Sequence, residues 1–266
     1  MGILNVTPDS FSDGGKYLDR EDAIAHALRM TSEGADIIDV GGESTRPGAE
    51  RVDAPVEIER VVDVIAALAE RGVTVSVDTM RAQVAAAAIE AGATIVNDVS
   101  GGLADPDMAS VIASTGVKWI LMHWRGHSAD MQKLARYDDV VADVKAELED
   151  RVEYALDSGV DAGQIVIDPG IGFAKTAEHN WALSAHLDQL TALGYPVLFA
   201  ASRKSYLGRL LGELEGRDRP PSGRDTATAA TSVLAFEAGA WGVRVHDIQS
   251  TYDVRAVWER TRAARN

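Results

Sequence analysis

Short apolar runs recur along the chain, and each closes on a polar or charged side chain: Asn5, Glu43, Asp78, Asn97, His123, Asp168, Ser202 and His246. Runs this brief and this rich in Val and Ile read as buried strands. Between them apolar residues fall at helical spacing. Ala23, Ala27, Leu28 and Met30 share one side of a first helix, and Val56, Ile58, Val61, Val62, Ile65 and Leu68 one side of a second. Pro55 opens the second helix and Gly72 stops it.

The pattern predicts strands over 2–6, 35–40, 73–77, 94–96, 117–122, 164–167, 196–201 and 243–245. It predicts helices from a cap at Asp19 or Asp22 to Glu33, then over 55–72, 81–91, 106–114, 138–158, 177–193, 226–239 and 249–264. A further helix opens at Ser202 to Ser205, and 213–223 reads as a polar loop. Eight βα units in series, with no linker between them, predict an α/β fold: a single-domain (β/α)8 TIM barrel over residues 1–266. An open doubly wound sheet would want a G-x-G-x-x-G turn after its first strand, where this chain has Thr7-Pro8-Asp9-Ser10. In a barrel the polar strand ends meet on one face, where function is expected.

Those ends carry the candidate chemistry. Arg244 and His246 lie two apart and share a face. A buried Arg wants an anion or a flat ring, and a salt bridge to a nearby Asp would serve as well. Asp78 and Asn97 end adjacent strands and can together meet a ring edge that shows donors and acceptors. Asp78 can equally cap the next helix. Asp168 is either a ligand-facing carboxylate or a turn former before Pro169 and Gly170. Strand alternation turns Asp98 away, toward a structural role.

Ser202 to Ser205 opens a helix, a place suited to an anion, with Lys204 adding charge; a solvated helix start is the plainer alternative. Loops 5–15 and 41–48, the latter carrying Arg46, are placed to act as lids. His26, His127, His179 and His186 show no metal-ligand spacing. Trp119, Trp124, Trp181, Trp241 and Trp258 read as packing, and no nucleophile with base and orienter stands out.

With 26 Lys+Arg against 41 Asp+Glu the net charge is −15, which argues against nucleic-acid or anionic-membrane partners. A small anion remains compatible, because solvent screens a diffuse surface field beyond ~8–10 Å. The absence of Cys removes disulfide and thiolate chemistry. No apolar run approaches the ~18–20 residues of a membrane span, and no secretory signal opens the chain, so a cytoplasmic location is expected.

Met1 to Gly15, Gly41-Gly-Glu-Ser-Thr-Arg-Pro-Gly48, Asp168-Pro-Gly-Ile-Gly-Phe173, Ser202-Arg-Lys-Ser205 and Arg244-Val-His246 resemble, in order, the dihydropteroate synthase family of folate biosynthesis. The resemblance covers nearly the whole chain. It implies a (β/α)8 transferase, often a homodimer. Such an enzyme joins p-aminobenzoate to a dihydropterin methyl pyrophosphate with Mg²⁺.

By the same resemblance Asp78, Asn97, Met122, Asp168, Lys204 and Arg244 surround the pterin. Asn5, Arg46, Arg244 and His246 hold the pyrophosphate, with Asn5 on the metal. Phe11, Thr45, Pro47, Phe173, Lys204 and Ser205 form the aminobenzoate site. Arg46, Asp78, Asp168, Lys204 and His246 are expected to carry catalysis. Two departures from the family pattern are Ala200, where many members have Gly, and Tyr206, where Phe is common. A pterin-dependent methyltransferase domain and a silent pterin-binding paralogue are the rivals. The first would not need Thr45-Arg46-Pro47 or the Ser-Arg-Lys-Ser segment, and the second would be expected to lose lid residues such as Arg46; this chain keeps them all. A metal-dependent barrel hydrolase is disfavoured, since its ligand spacing is missing.

Overall fold

The computed structural model describes residues 1–7, 16–43, 52–126, 131–217 and 219–265. Strands β1 (Gly2–Asn5), β2 (Ile38–Gly41), β3 (Val75–Asp78), β4 (Ile95–Asp98), β5 (Lys118–Met122) and β6 (Ile165–Asp168) pair in parallel and in chain order. Strands β7 (Leu198–Phe199) and β8 (Gly242–Val243) form a separate parallel pair. Two single bridges join the pieces: Ile167 to Val197 between β6 and β7, and Gly2 to Val245 between β8 and β1. The Ile167 N–H donates to the Pro196 carbonyl at 2.9 Å, and the Val245 N–H to the Met1 carbonyl at 2.9 Å. The ring therefore closes as a (β/α)8 barrel.

β7 is shorter than the 196–201 run suggests. Pro196 has no N–H for the ladder, and beyond Phe199 the chain leaves the sheet to build the turn that carries Ser202.

The helices are α1 (Lys16–Ser32), α2 (Ala54–Ala69), α3 (Ala82–Glu90), α4 (Met108–Thr115), α5 (Val140–Asp157), α6 (Ala177–Ala185), α7 (Leu187–Thr191), α8 (Ser205–Glu215), α9 (Asp225–Glu237) and α10 (Ile248–Ala263). Three expectations need correction. α1 begins upstream of both Asp19 and Asp22, so neither caps it. The helix expected over 177–193 breaks at His186. The apolar period runs through that break, with Leu183, Leu187 and Leu190 all buried, so sequence reads the two pieces as one. The 213–223 loop is partly helical: α8 reaches Glu215, and left-handed Gly216 (φ 70°) ends it. Among the described residues no helix is long and apolar enough to cross a membrane.

Strand alternation sorts the core into two. Val40, Val77, Val96, Leu121 and Ile167 face outward and pack against helix residues such as Met30, Val61, Leu68, Val84, Ile112 and Leu148. Ile95, Ile120, Val166 and Leu198 form a separate small cluster inside the barrel. Two residues further along the same faces stand Asn97, Met122, Asp168 and Ala200. At about 3.3 Å of rise per residue, each lies roughly 6–7 Å beyond the plug residue of its own strand.

At one side of the mouth Arg81 binds Glu57, Glu43 (2.9 Å) and the Val52 carbonyl (2.6 Å), tying together the two ends of the β2–α2 connection. The fold predicts that Ile120→Ala, which opens a void in the plug, will lower stability by about 2–5 kcal/mol, and Ile120→Val by about 0.5–1.5 kcal/mol. Urea denaturation measures both.

Candidate active site

Strand register sets the polar ends side by side. Asn5 neighbours Gly41, Gly41 neighbours Asp78, Asp78 neighbours Asn97, and Met122 neighbours Asp168. Gly41 keeps the rim open. A Cβ there would lie 3.5 Å from the Asp78 Cβ and 3.7 Å from Asn5 Oδ1, filling the space between them.

Arg244 reaches into this ring from beyond β8. Its Nε donates to Asp39 Oδ2 at 2.6 Å and its Nη2 to Asp78 Oδ2 at 2.8 Å. Asn97 Nδ2 donates to the same Asp39 oxygen at 2.9 Å. Of the roles open to Arg244, the ion pair is the one seen. Its partners lie on distant strands, while neighbouring Asp247 instead caps α10. The sequence reading missed Asp39, which is fully buried. The signal was present: Asp39 lies two residues before Gly41 on an otherwise apolar strand, so it faces inward with it.

Asp78 does not cap α3. Arg81 holds the cap position, and Asp105 accepts from the Ala82 N–H at 2.8 Å. Asp98 is structural as expected, accepting from the Ser100 and Gly102 N–H groups at 2.8 and 2.9 Å. Asp168 combines both of its candidate roles. It accepts from the Gly170 N–H at 2.7 Å, yet it is buried at the inner rim, and a carboxylate has acceptor positions left after one such bond.

Burial dominates the electrostatics. It pushes Asp78 up to about 7, with Arg244 opposing, and Asp168 up to about 6, with the Gly170 N–H and Lys204 opposing. It draws Lys204 down to about 8, helped by Arg244. A desolvated mouth of this kind favours a ligand that brings matching donors and acceptors.

Two strained turns aim the remaining groups. After β6 the backbone is left-handed at Gly170 (φ 68°), Gly172 (φ 82°) and Ala174 (φ 48°). A Cβ at Gly172 would come within 2.9 Å of Lys204 Cδ, so the glycine lets Lys204 lie over the turn. There Lys204 Nζ sits 4.2 Å from the centre of the Phe173 ring. After β7, Arg203 is left-handed (φ 57°), and a two-pronged ion pair to Asp225 at 2.7 and 2.8 Å holds it. That turn points Ser202 at His246: Ser202 Oγ lies 2.9 Å from Nδ1 and accepts from the His246 backbone N–H at 3.1 Å.

Burial, with Arg203 and Arg244 nearby, lowers His246 to about 3, so its ring is neutral. A Ser202 hydroxyl that donates to Nδ1 would leave the Nε2–H to face an acceptor.

Asn5, Asp78, Asn97, Met122, Asp168, Phe173, Lys204, Arg244 and His246 thus all stand at the carboxyl edge of the barrel. Asn5 and His246 line one cavity. Ser205 is the first residue of α8 and is exposed. Phe11, Thr45, Arg46, Pro47 and His127 lie outside the described residues. His179 joins Thr176 in capping α6. Trp119 is fully buried, whereas Trp241 is exposed, against the packing expected of it. Among the described residues no group of three His, Asp or Glu side chains converges as a metal site.

Parallel strands that deliver buried carboxylates, an amide, an ammonium and a guanidinium to one hollow define a barrel enzyme for a small polar molecule. The family model described as pterin binding enzyme matches residues 1–246. A dihydropteroate synthase of Mycobacterium leprae is 58% identical, over 97% of this chain and 91% of its own. The Xanthomonas albilineans dihydropteroate synthase solved with 4-aminobenzoic acid superposes with a TM-score of 0.90 at 44% identity, covering 98% of this chain and 92% of that one. The same organism's enzyme in complex with 7,8-dihydropteroate gives a TM-score of 0.86 at 41% identity, again over 98% and 92%. The chain belongs to the pterin binding enzyme family, among its dihydropteroate synthases.

Asp168 yields a test of stability against pH. Its pKa is raised by folding from 3.8 to about 6, so the folded chain holds this proton more tightly than the unfolded one. The resulting penalty is absent below pH ~4, grows as pH rises through ~4–6, and then levels off at up to about 3 kcal/mol. Asp168→Asn, which cannot ionise there, is expected to match the native chain near pH 4 and to exceed it in stability at pH 7.5. Denaturant titrations at the two pH values measure the difference.

Proposed function

We propose that this chain joins p-aminobenzoate to 7,8-dihydropterin-6-ylmethyl pyrophosphate, giving 7,8-dihydropteroate and pyrophosphate. The observation that carries this is the ring of Asp78, Asn97, Asp168 and Lys204 around Arg244, which alternates acceptors and donors as the edge of a pterin does. The Xanthomonas relatives solved with 4-aminobenzoic acid and with 7,8-dihydropteroate support it.

In the proposed reaction the amine nitrogen lone pair forms the new bond to the pterin methylene. The carbon–oxygen bond to pyrophosphate breaks, its electron pair leaves with the pyrophosphate oxygen, and the amine gives up one proton. Asp78 and Asp168 accept N–H groups of the pterin, and Lys204 donates to its carbonyl edge. The negative charge of the two carboxylates also steadies the electron-poor methylene as the leaving group departs. Arg244 lies along the ring face. The neutral His246 donates from Nε2 to the pyrophosphate, beside Asn5. The amine is nucleophilic unaided, so no strong base is required; alignment and charge compensation in a dry hollow do the rest.

Arg46 is proposed to close over the pyrophosphate, with Phe11, Thr45 and Pro47 covering the aminobenzoate beside Phe173, Lys204 and Ser205. Asn5 offers a neutral oxygen, which suits an ion held mainly by phosphate oxygens and water, as Mg²⁺ usually is. Mg²⁺ bound there would neutralise charge on the departing pyrophosphate. Pairing into a homodimer fits the exposed Leu234 on α9 and Val257 on α10, 61% and 67% accessible.

The decisive experiment is a pyrophosphate-release assay. Release is expected only with both substrates and Mg²⁺; normal pterin binding without turnover would instead identify a silent paralogue. Turnover should follow the charges. kcat/KM is expected to rise as Asp168 and Asp78 ionise, through about pH 6 and 7, and to fall above about pH 8 as Lys204 loses its proton. Arg46→Ala is expected to slow turnover while leaving binding of the pterin alcohol intact, as calorimetry can check.

A further inference from the structure

Behind the turn that presents Phe173 lies a buried set of charged groups that the proposed reaction does not use. Lys175 Nζ is 2.9 Å from His123 Nδ1 and 3.1 Å from the Phe173 carbonyl. His123 Nε2 is 3.0 Å from Glu147 Oε2, on α5. Arg125 pairs with both oxygens of Glu147 and lies 3.9 Å from the centre of the Tyr137 ring. Tyr137 in turn donates its hydroxyl to the Ala174 carbonyl at 3.1 Å.

Hydrogen-bond direction is fixed along this chain of groups. Glu147 is ionised and can only accept, so the His123 proton sits on Nε2 and donates to it, and Nδ1 accepts from Lys175, which burial draws down to about 7 with Asp168 opposing. Burial and the neighbouring Lys175 lower His123 to about 4, in keeping with a neutral ring. Burial works against the Glu147 charge, but the bonds from His123 and Arg125 outweigh it and hold Glu147 at about 2. The set is therefore a buried lysine amine and a carboxylate joined through one neutral imidazole.

This set grips the turn after β6 at both ends. At its start the His123 N–H donates to the Asp168 carbonyl at 2.8 Å, and Gly170 packs so close that a Cβ would fall 2.3 Å from the His123 carbonyl oxygen. At its end Lys175 and Tyr137 hold the carbonyls of Phe173 and Ala174. Ala174 is left-handed, a conformation that costs a residue with a Cβ about 1–2 kcal/mol. Such strain persists only where surrounding contacts over-determine it. The Phe173 ring of the same turn lies 4.2 Å from Lys204 Nζ.

We infer that Lys175 is a positioning residue for the aminobenzoate half of the site, acting through the backbone of Phe173. The inference rests on the proposed reading in which Phe173 and Lys204 border the aminobenzoate. Among the described residues Lys175 hydrogen-bonds to the carbonyl of Phe173 and to His123, and its charge also acts on Asp168, so its removal frees the aromatic wall and leaves the Asp78 and Asn97 side of the hollow in place.

The test compares Lys175→Met and Glu147→Gln with Phe173→Ala by steady-state kinetics in p-aminobenzoate and by calorimetry with the pterin alcohol. Lys175→Met is expected to raise KM for p-aminobenzoate by ~10-fold or more, in line with losing a charged hydrogen bond, with pterin affinity within about twofold of native. Glu147 is partly exposed, so Glu147→Gln keeps the fold if Lys175→Met does not. It is expected to move KM the same way by a smaller factor. An unchanged KM in the folded variants, or a parallel loss of pterin affinity, overturns the inference. If Phe173→Ala leaves KM unchanged, the reading of the aminobenzoate wall itself fails. If Phe173→Ala raises KM and the Lys175 and Glu147 variants do not, the wall stands and the positioning role falls.

Discussion

A guanidinium cannot shed its charge inside a protein, so wherever it is buried the surroundings must answer it. Arg244 is answered twice, by Asp39 and by Asp78. These contacts run across the barrel mouth and tie the segment after β8 to β2 and β3. They do so next to the seam where β8 meets β1 through a single bridge. Asp39 also orients Asn97, so one carboxylate fixes two functional side chains. With two carboxylates on one guanidinium, the cation keeps a partner when one of them turns to a ligand.

The same charges make the mouth expensive to maintain. Asp78 and Asp168 are pulled toward their neutral forms, as are Lys175 and Lys204, because water is excluded and the compensating partners are few. Ligand groups would complete that compensation. Left-handed Ala174 and Arg203 add local strain at the two turns that flank Lys204. Each is held by polar contacts from neighbouring elements: Tyr137 and Lys175 for one, Asp225 and Thr228 for the other.

Much of this was legible in the sequence. Apolar runs ending on polar residues give parallel strands with a functional edge, and alternation alone brings Arg244 and His246 to one face. It would have brought Asp39 as well, had the middle of the strand been read as carefully as its end. What alternation cannot supply is long-range pairing. Nothing local says that Arg244 meets Asp39, that His123 meets Lys175, or that Asp225 holds Arg203, since each pair is joined by closure of the ring or by packing of a distant helix. The break at His186 was hidden for the opposite reason: a continuous apolar stripe masks a local change of backbone direction.

The small apolar plug under the mouth has a consequence of its own. Ile95, Ile120, Val166 and Leu198 form a floor, and its height sets how far a flat molecule can sink between the strands. In the proposed reaction, selectivity for ring size would then be governed from beneath, by four aliphatic side chains that carry no polar group. Trimming one of them would deepen the well for a bulkier heterocycle, while the polar groups above would still read the same edge.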